Sequence, residues 1–426
     1  MEAQGREPPI DVVIGTSRPY EWGYLESSQA SQTSDDDDPP PPEAHDPPSA
    51  PSVMMGQGRP VSNLTFEPII ISFVVSGEPI LLYIGDTSTL SMTQRYISNN
   101  LPPQKLGSDP IELLTYALEL VVRHTPPCEV YHERHLGGLF TGYTGLAYLF
   151  LQLSELYPDL KISGQDLLSW AKRYLEGDRG KLALEKGNCG ISSEKLSFEA
   201  VRACITKEDD HLITFLSNMP ILLGPYTSPQ DDAFPSEIPY GRAGALYMLR
   251  MVKHWVPRSG SLVESPIKRL AERIMATDDD GRGNWEWHGK RYFGAAHGDI
   301  GIITQLVLSN PSLAPQLTQR VEKLLELQDP DGNWPSSLRS LKEGKGASLI
   351  QWCHGAPGFL YSLTSLRPYF PGLKDRIDSA IEKGQSITWR HGLLTKEPCL
   401  CHGIFGNALY VFPVFKPLPL FFTAIT

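Results

Sequence analysis

The chain has 426 residues, a formal net charge of −11 at pH 7, 41% hydrophobic residues and 20% charged residues. This composition is typical of a protein with a large core, and the acidic balance argues against a nucleic-acid surface, which needs a basic patch. Six cysteines are too few for a disulfide framework at this length, so we expect free thiols in the reducing cytoplasm. The longest apolar stretch, Ile69 to Ile84, is interrupted by Glu78 and Pro79. It is too short to cross a bilayer, so we expect no transmembrane segment.

The N-terminal residues differ in composition from the rest. Residues 1 to 60 are rich in Pro, Ser, Asp and Gly, so they cannot bury enough surface to offset their chain entropy. We predict a disordered tail, in which Asp35 to Asp38 are a solvated charge run and not a metal motif. Residues 61 to 94 are apolar, with a composition typical of strands, and are not assigned to a domain.

A helical body is predicted from Arg95 to Tyr410. Its first clear amphipathic run is SDPIELLTYALELVVRHT, in which Asp109 is expected to cap the helix and Pro110 to occupy the first helical position. Residues 411 to 426 are apolar but contain three prolines, which forbid a regular helix. We interpret them as an atypical tail.

A glycine-framed motif of the form G-x-x-G recurs along this body, and an apolar run of helical length follows each copy. Amphipathic segments such as SPIKRLAERIMA lie between the copies, so the pattern predicts alternating outer and inner helices. We count six copies, the second of them degenerate: LFTGYTGLAYLFLQL from Leu139, GNCGISSEKLSFEAV from Gly187, PYGRAGALYMLRMV from Pro239, AAHGDIGIITQLVL from Ala295, WCHGAPGFLYSLT from Trp352 and CHGIFGNALYVF from Cys401.

A closed array of such helix pairs is a double-layered α/α toroid, so the predicted fold class is all-α. Glycines at the start of each inner helix let the backbone turn sharply and approach its neighbours closely. The N-termini of the inner helices then converge on one end, where free N–H groups and partial positive charge collect. We expect the functional site at that end.

The last three copies carry more than glycine, namely His297, the pair Cys353 and His354, and the pair Cys401 and His402. Because each occupies the same place in its repeat, the toroid would bring them to neighbouring helix starts. Two thiolates and one imidazole suit Zn²⁺ with an open fourth position, and thiolates select a soft or borderline metal. The sequence therefore predicts a zinc site.

In register, WCHGAPG, CHGxxGN and AAHGxxG strongly resemble the lanthionine synthetase C-like proteins, the relatives of bacterial lantibiotic cyclases, and the details look eukaryotic and fungal or plant-like. The resemblance covers Arg95 to Tyr410. It implies a double-layered toroid with one zinc held by Cys353, Cys401 and His402. It also implies an activity. Bacterial members add a peptide cysteine to dehydroalanine or dehydrobutyrine, and eukaryotic members bind glutathione and add its thiol to dehydroamino acids in proteins.

This chemistry suits the residues. Zinc lowers the pKa of a bound thiol, and the thiolate attacks the β-carbon of the alkene. The resulting enolate needs a proton at the α-carbon, for which His297 is the expected general acid. His354 would orient the thiolate or move a proton, with a packing role as the alternative.

Two basic residues are expected to bind glutathione. Lys396 lies five residues before Cys401, where glutathione-binding members have a lysine that contacts the tripeptide. A cation there suits a carboxylate. Arg95 aligns with an N-terminal arginine of the family that also reaches glutathione. Cys399 is interpreted as a spare thiol and Cys189 as structural.

The chain departs from the family in its number of repeats. Family members close the toroid with a seventh copy after CHGxxGN, whereas we count six here. We therefore predict a toroid that lacks its last repeat. The segments 61 to 94 and 411 to 426 match nothing in the family, and we hypothesise that they come from a gene-model error or a splice variant.

Other functions remain open at this point. The first is a catalytically silent scaffold or sensor that binds zinc and glutathione. A terpene-cyclase-like toroid is suggested by QDPDGNW from Gln328, but its acidic motif is missing, since TDDDG precedes the segment WEWHGKRY, a predicted loop or hairpin. A glycosidase would need two opposed carboxylates, and Asp299 has no evident partner. A kinase is a plausible partner of the enzyme, because elimination of phosphate from phosphoserine generates the alkene.

Overall fold

The computed structural model of the chain describes residues 70–75, 78–83, 95–99, 107–224, 234–277, 285–396 and 398–411. All of them belong to one compact unit, Thr65–Thr426. The predicted tail at 1–60, most of the segment 61–94 and the predicted C-terminal tail beyond Val411 lie outside the described residues.

Helices dominate the described residues, and eight short strands accompany them as pairs. The helices are α1 Pro110–His124, α2 Gly138–Thr141, α3 Tyr143–Leu156, α4 Leu167–Leu175, α5 Glu194–Thr206, α6 Asp209–Leu216, α7 Met219–Leu223, α8 Arg242–Trp255, α9 Gly260–Ala276, α10 Asp299–Ser309, α11 Ala314–Glu326, α12 Leu338–Lys342, α13 Ala356–Leu366, α14 Lys374–His391 and α15 Ile404–Val411. The antiparallel pairs are β1 Ile70–Val75 with β2 Glu78–Tyr83, β3 Tyr96–Ile97 with β8 Leu393–Leu394, β4 Lys161–Ile162 with β5 Gln165–Asp166, and β6 Glu286–Trp287 with β7 Lys290–Arg291.

The long helices fall into two classes by burial. Helices α5, α8, α10 and α13 are buried almost all round, as in α10, where every residue from Asp299 to Val307 is buried. Helices such as α11 bury only one face, through Leu317, Val321 and Leu324 at helical spacing. The first class therefore has neighbours on all sides, and the second covers it from outside.

The helix contacts show how the two classes alternate. The buried helices pack side by side in chain order, α3 on α5, α5 on α8, α8 on α10, α10 on α13 and α13 on α15. Each also packs on the amphipathic helix that follows it, as α8 does on α9 and α13 on α14. This is the double-layered α/α toroid that the repeat predicts. The expected lack of a last repeat stays a prediction, because the residues after Val411 are outside the described part.

The second glycine of each regular G-x-x-G motif permits the close packing at the start of each inner helix. A Cβ at any of these glycines would collide with the carbonyl oxygen six residues earlier in the chain. Only glycine therefore fits without a shift of the backbone. These glycines are Gly145, Gly244, Gly301, Gly358 and Gly406.

The start of the body differs in part from the expectation. Asp109 caps α1 as predicted, since its carboxylate accepts hydrogen bonds from the backbone N–H groups of Ile111 (2.7 Å) and Glu112 (3.3 Å), with Pro110 at the first helical position. The residues around Arg95, however, are extended, because Tyr96 pairs with Leu394 across β3 and β8. A strand, and not a helix, begins the described body.

Two expectations for the whole chain, on its cysteines and on membrane-spanning helices, can be compared with the structure. All six cysteines carry free thiols, as predicted from their number. Among the described residues no helix is both long and apolar enough to traverse a bilayer.

Candidate functional site

A ladder of backbone hydrogen bonds joins the turns that precede the inner helices. In each bond an N–H group of one turn donates to a carbonyl of the next turn along the chain. The ladder thus sets equivalent positions of all six repeats side by side. Its bonds run from Leu139 to Ile191 (2.8 Å), from Ile191 to Ile238 (3.2 Å), from Ile238 to Ala296 (3.1 Å), from Ala296 to Cys353 (3.5 Å) and from Cys353 to Cys401 (3.2 Å).

The last step of this ladder builds a metal-binding group. Because the N–H of Cys353 bonds directly to the carbonyl of Cys401, the two thiols and the imidazole of His402 face one another. One potential ligand atom from each of the three residues lies within 4.8 Å of the others. Two sulfur donors and one nitrogen donor fit zinc, with a fourth position left for a water or a substrate. The structure thus brings together the three residues predicted as ligands.

The two thiols shift each other's pKa in opposite directions. A hydrogen bond from the Cys401 thiol lowers the pKa of Cys353, while the same interaction, with burial, raises the pKa of Cys401. The side-chain amide of Gln351 also donates to Cys353 Sγ, at 3.1 Å, and further stabilises the thiolate. Sequence reasoning missed Gln351, although its place two residues before the ligand was a usable signal.

Cys399 lies beside this group but outside it. Its Sγ accepts a hydrogen bond from the backbone N–H of His402, at 3.4 Å, so the thiol supports the turn that carries two of the ligands. Cys189 is fully buried in the second turn, where its N–H donates to the carbonyl of Tyr240. The roles of the two thiols stay predictions.

His297 belongs to the same register as His354 and His402, one ladder step from the metal-binding group. It is buried, and its Nδ1 lies 2.6 Å from Oε2 of Glu237. Glu237 is itself buried, which raises the pKa of its carboxyl group, and it accepts a hydrogen bond from the N–H of Tyr240. Glu237 bonds to Nδ1 of His297, so it does not engage the other ring nitrogen, Nε2.

Glu237 was not predicted. It lies 60 residues before His297, two residues ahead of the third copy of the motif, which carries neither cysteine nor histidine. The available signal was an acidic residue shortly before the start of that copy. Such a residue is close to the following turn in the ladder.

His354 is buried between the metal-binding group and His297, with 6.2 Å between the two imidazole centroids. Burial, together with the positive charge of nearby groups, lowers the pKa of His354 to about 3, so the ring is neutral at physiological pH. No described residue offers its Nδ1 a hydrogen-bond partner. A neutral imidazole here can donate or accept one hydrogen bond toward a bound molecule.

The two residues predicted to bind glutathione come from opposite ends of the body and are brought to the same end of the β3–β8 pair. The N–H of Thr395, the residue before Lys396, donates to the carbonyl of Arg95 at 3.0 Å. Both side chains are exposed. The charge of Lys396 contributes to the lowered pKa of Cys353. Lys396 therefore lies within electrostatic range of the metal-binding group.

The segment WEWHGKRY forms the predicted hairpin, β6–β7, and this hairpin covers His297 with Trp287. Beyond it, Arg291 forms an ion pair with the buried Asp299, at 2.7 Å. Asp299, the acid considered for a glycosidase, is thus engaged by a cation of the hairpin.

The linker that resembles a terpene-cyclase repeat has a structural role. Asn333 accepts a hydrogen bond from the N–H of Ala356 at 2.7 Å and so caps α13, the helix that follows the Cys353 turn. Trp334 is fully buried, donates to the carbonyl of Leu324 and stacks on Phe359.

Comparison with known proteins agrees with this architecture. The sequence model of the family described as "Lanthionine synthetase C-like protein" matches residues 134–412, well over half of the chain. A curated relative, the protein named glutathione S-transferase LANCL1 of Danio rerio, is 27% identical over 302 residues. That alignment covers 65% of this chain and 69% of the relative.

Proposed function

Because this chain belongs to the lanthionine synthetase C-like protein family, we propose that it is a zinc-dependent enzyme that adds the thiol of glutathione to dehydroalanine or dehydrobutyrine residues in peptides or proteins. The observation that carries the proposal is the juxtaposition of Cys353, Cys401 and His402 with the Glu237–His297 pair on adjacent turns. The name of the Danio rerio relative supports glutathione as the thiol.

Three side chains would hold the metal, namely Cys353, Cys401 and His402. Their donor set, two sulfurs and one nitrogen, fits zinc and leaves a coordination position for a substrate. When bound, zinc supplies Lewis acidity that lowers the pKa of a thiol and so provides a nucleophile at neutral pH. Gln351 and the ladder bond between the two cysteines orient these ligands.

Arg95 and Lys396 would bind the carboxylates of glutathione. Both are exposed and both lie at the end of the β3–β8 pair, and the charge of Lys396 acts on the Cys353 thiol. A guanidinium matches a carboxylate through two parallel hydrogen bonds, whereas an ammonium acts as a point charge. Together they would hold the tripeptide so that its cysteine faces the site.

The reaction balances with one proton. The glutathione sulfur forms a bond to the β-carbon, and the π electrons of the alkene move toward the carbonyl and give an enolate. His297 then donates the proton of Nε2 to the α-carbon, while the Glu237 carboxylate holds Nδ1 and stabilises the charge of the ring before transfer. The proton released by the glutathione thiol restores His297. The neutral His354 would donate a hydrogen bond to the peptide carbonyl that becomes the enolate.

The acceptor peptide needs an alkene, which elimination of phosphate from phosphoserine or phosphothreonine provides. A kinase is therefore the partner that we expect upstream of this reaction.

The test uses the purified full chain, glutathione and a dehydroalanine peptide, with mass spectrometry of the product. We expect an adduct that forms with the wild type and disappears with His297→Asn, while zinc content stays near one per chain in both proteins. A wild-type protein that binds zinc and glutathione but forms no adduct above the uncatalysed rate contradicts the enzyme, and it identifies the alternative, a scaffold or sensor.

A further inference from the structure

The β6–β7 hairpin has a tight two-residue turn. His288 (φ 49°) and Gly289 (φ 67°) are both left-handed, as the common two-residue hairpin turn requires, and Trp287 pairs with Lys290 beside them. Glycine adopts this region without cost, whereas His288 does so less readily. The turn therefore fixes the position of Trp287 at the end of a short, defined strand.

Trp287 lies flat on His297. Their ring centroids are 3.9 Å apart and their planes differ by 1°. Tyr240 is parallel to both, with its centroid 6.0 Å from that of Trp287 and 6.4 Å from that of His297. The imidazole of His297 therefore lies in face-to-face contact with the indole of Trp287.

This contact complements the hydrogen bond of Glu237. That bond fixes the position of Nδ1 alone, so the imidazole could still tilt about it. A flat aromatic surface at van der Waals distance removes the tilt. With Nδ1 and the ring plane both fixed, the direction of Nε2 is also fixed.

The hairpin is anchored next to the residue that it covers. Arg291 donates two hydrogen bonds to Asp299 Oδ2, at 2.7 and 3.2 Å, and Asp299 follows His297 by only two residues. Backbone pairing between Tyr292 and Ser337 holds the other side of the hairpin. A shift of the hairpin relative to His297 would break these contacts.

We propose that Trp287 is a positioning residue for His297, which holds the protonated imidazole in the plane required for proton delivery. The proposal rests on the proposed function, because it assigns His297 the role of proton donor. It adds a residue from outside the glycine repeat to the machinery of the site.

The kinetic test compares Trp287→Leu, Trp287→Phe and the wild type in the glutathione-adduct assay. We expect Trp287→Leu to lower kcat about tenfold, equivalent to about 1.4 kcal/mol. The KM for glutathione should not change, because Arg95 and Lys396 lie on other segments. Trp287→Phe keeps an aromatic face and should stay within about threefold of the wild type. Equal losses in the two variants, or an unchanged kcat in Trp287→Leu, would overturn the proposal.

A matched control is Trp255→Phe. Trp255 also contacts a histidine, His254, but edge-on, with 5.3 Å between centroids and 87° between planes. It lies at the C-terminal end of α8, whereas the turns of the site precede the helices. Its substitution should leave kcat unchanged.

Fluorescence supplies a readout that needs no activity. A ring in face contact with an indole changes its emission, so replacing His297 should change the emission of Trp287. The difference between wild type and Trp287→Phe isolates this residue among the eight tryptophans. The same difference measured in the His297→Asn background should not equal it. Equal differences in the two backgrounds contradict the stacking even in a protein that forms no adduct. Absence of adduct alone counts against the proposed function only.

Discussion

The first and the last turns of the ladder are joined to their neighbours by the same kind of backbone hydrogen bond, but their polar side chains have different roles. In the first, Glu194 Oε2 accepts a hydrogen bond from the N–H of Gly138 (2.8 Å), and Oε1 accepts one from Thr144 (2.6 Å). The buried Arg179 lies 3.4 Å from the same carboxylate and covers the faces of Tyr131 and Phe198. Each oxygen of Glu194 is satisfied inside the protein.

The last three turns leave polar groups for something else. Among the described residues, three ligand atoms converge without a fourth, and neither Nδ1 of His354 nor one oxygen of the buried Asp299 has a hydrogen-bond partner. Buried polar groups without partners are costly for stability, so they are expected where function requires them. The comparison teaches that the glycine repeat provides a frame, and that the side chains decide whether a turn stabilises the fold or performs chemistry.

The largest effect is expected from a substitution in the metal-binding turn, which leaves the structural turn around Glu194 unchanged. Cys401→Ala removes one of the three ligands, so zinc content should fall from about one per chain to near zero. Adduct formation should fall by at least about 1,000-fold, since the nucleophile is no longer activated. Elemental analysis and the adduct assay measure these two quantities. Cys399→Ala is the matched control, and full zinc occupancy in Cys401→Ala would show that the assigned ligand is wrong.

Glu237→Gln separates proton delivery from metal binding. The amide keeps the shape of the side chain but cannot stabilise a charged His297, so kcat should fall by about 100-fold or more. Zinc content should not change, because Glu237 contacts no ligand. A variant with wild-type kcat would remove Glu237 from the proposed reaction.

Glu194→Gln tests the structural turn. It leaves the buried guanidinium of Arg179 without its counter-charge, and we expect the free energy of unfolding to drop by about 3 kcal/mol. Chemical denaturation measures this loss. The kcat per folded molecule should stay at the wild-type value, which distinguishes Glu194 from Glu237. A loss of kcat with unchanged stability would erase the distinction between the two turns.

Asp299→Asn should change the free energy of unfolding in the opposite direction to Glu194→Gln. Burial raises the pKa of Asp299 from 3.8 to about 6, so the folded state holds this proton more tightly than the unfolded chain. Its contribution to stability is complete below pH 3.8 and is lost as the pH rises through about 6. The neutral amide avoids this loss, and above pH 7 the variant should be more stable than wild type by up to about 3 kcal/mol.

Near pH 4 the two proteins should unfold at similar urea concentrations, because Asp299 is then largely protonated in the folded wild type. Urea titrations at pH 4 and pH 7.5 measure both limits. A stability difference that does not depend on pH would mean that the carboxylate of Asp299 is fully compensated by Arg291.

The sequence by itself determined the frame and the metal donors. The G-x-x-G repeat requires glycine wherever the backbone passes close to its own carbonyls, so its spacing predicts the inner helices and their common register. Cys353 and Cys401 stand at equivalent positions of that register, and His402 directly follows Cys401. Equivalent positions meet when repeats stack. The amphipathic segments between them similarly predict the outer layer.

Only the tertiary structure decided which side chains surround those donors. Glu237 meets His297 because its turn is the neighbouring one in the ladder, and Trp287 meets it because a hairpin folds back over the site. Arg95 lies beside Thr395, the neighbour of Lys396, because a strand pair joins the two ends of the body where the sequence indicated helix. Periodicity reports which face of an element is buried, but not which distant residue lies against it, and these contacts join residues far apart in the chain.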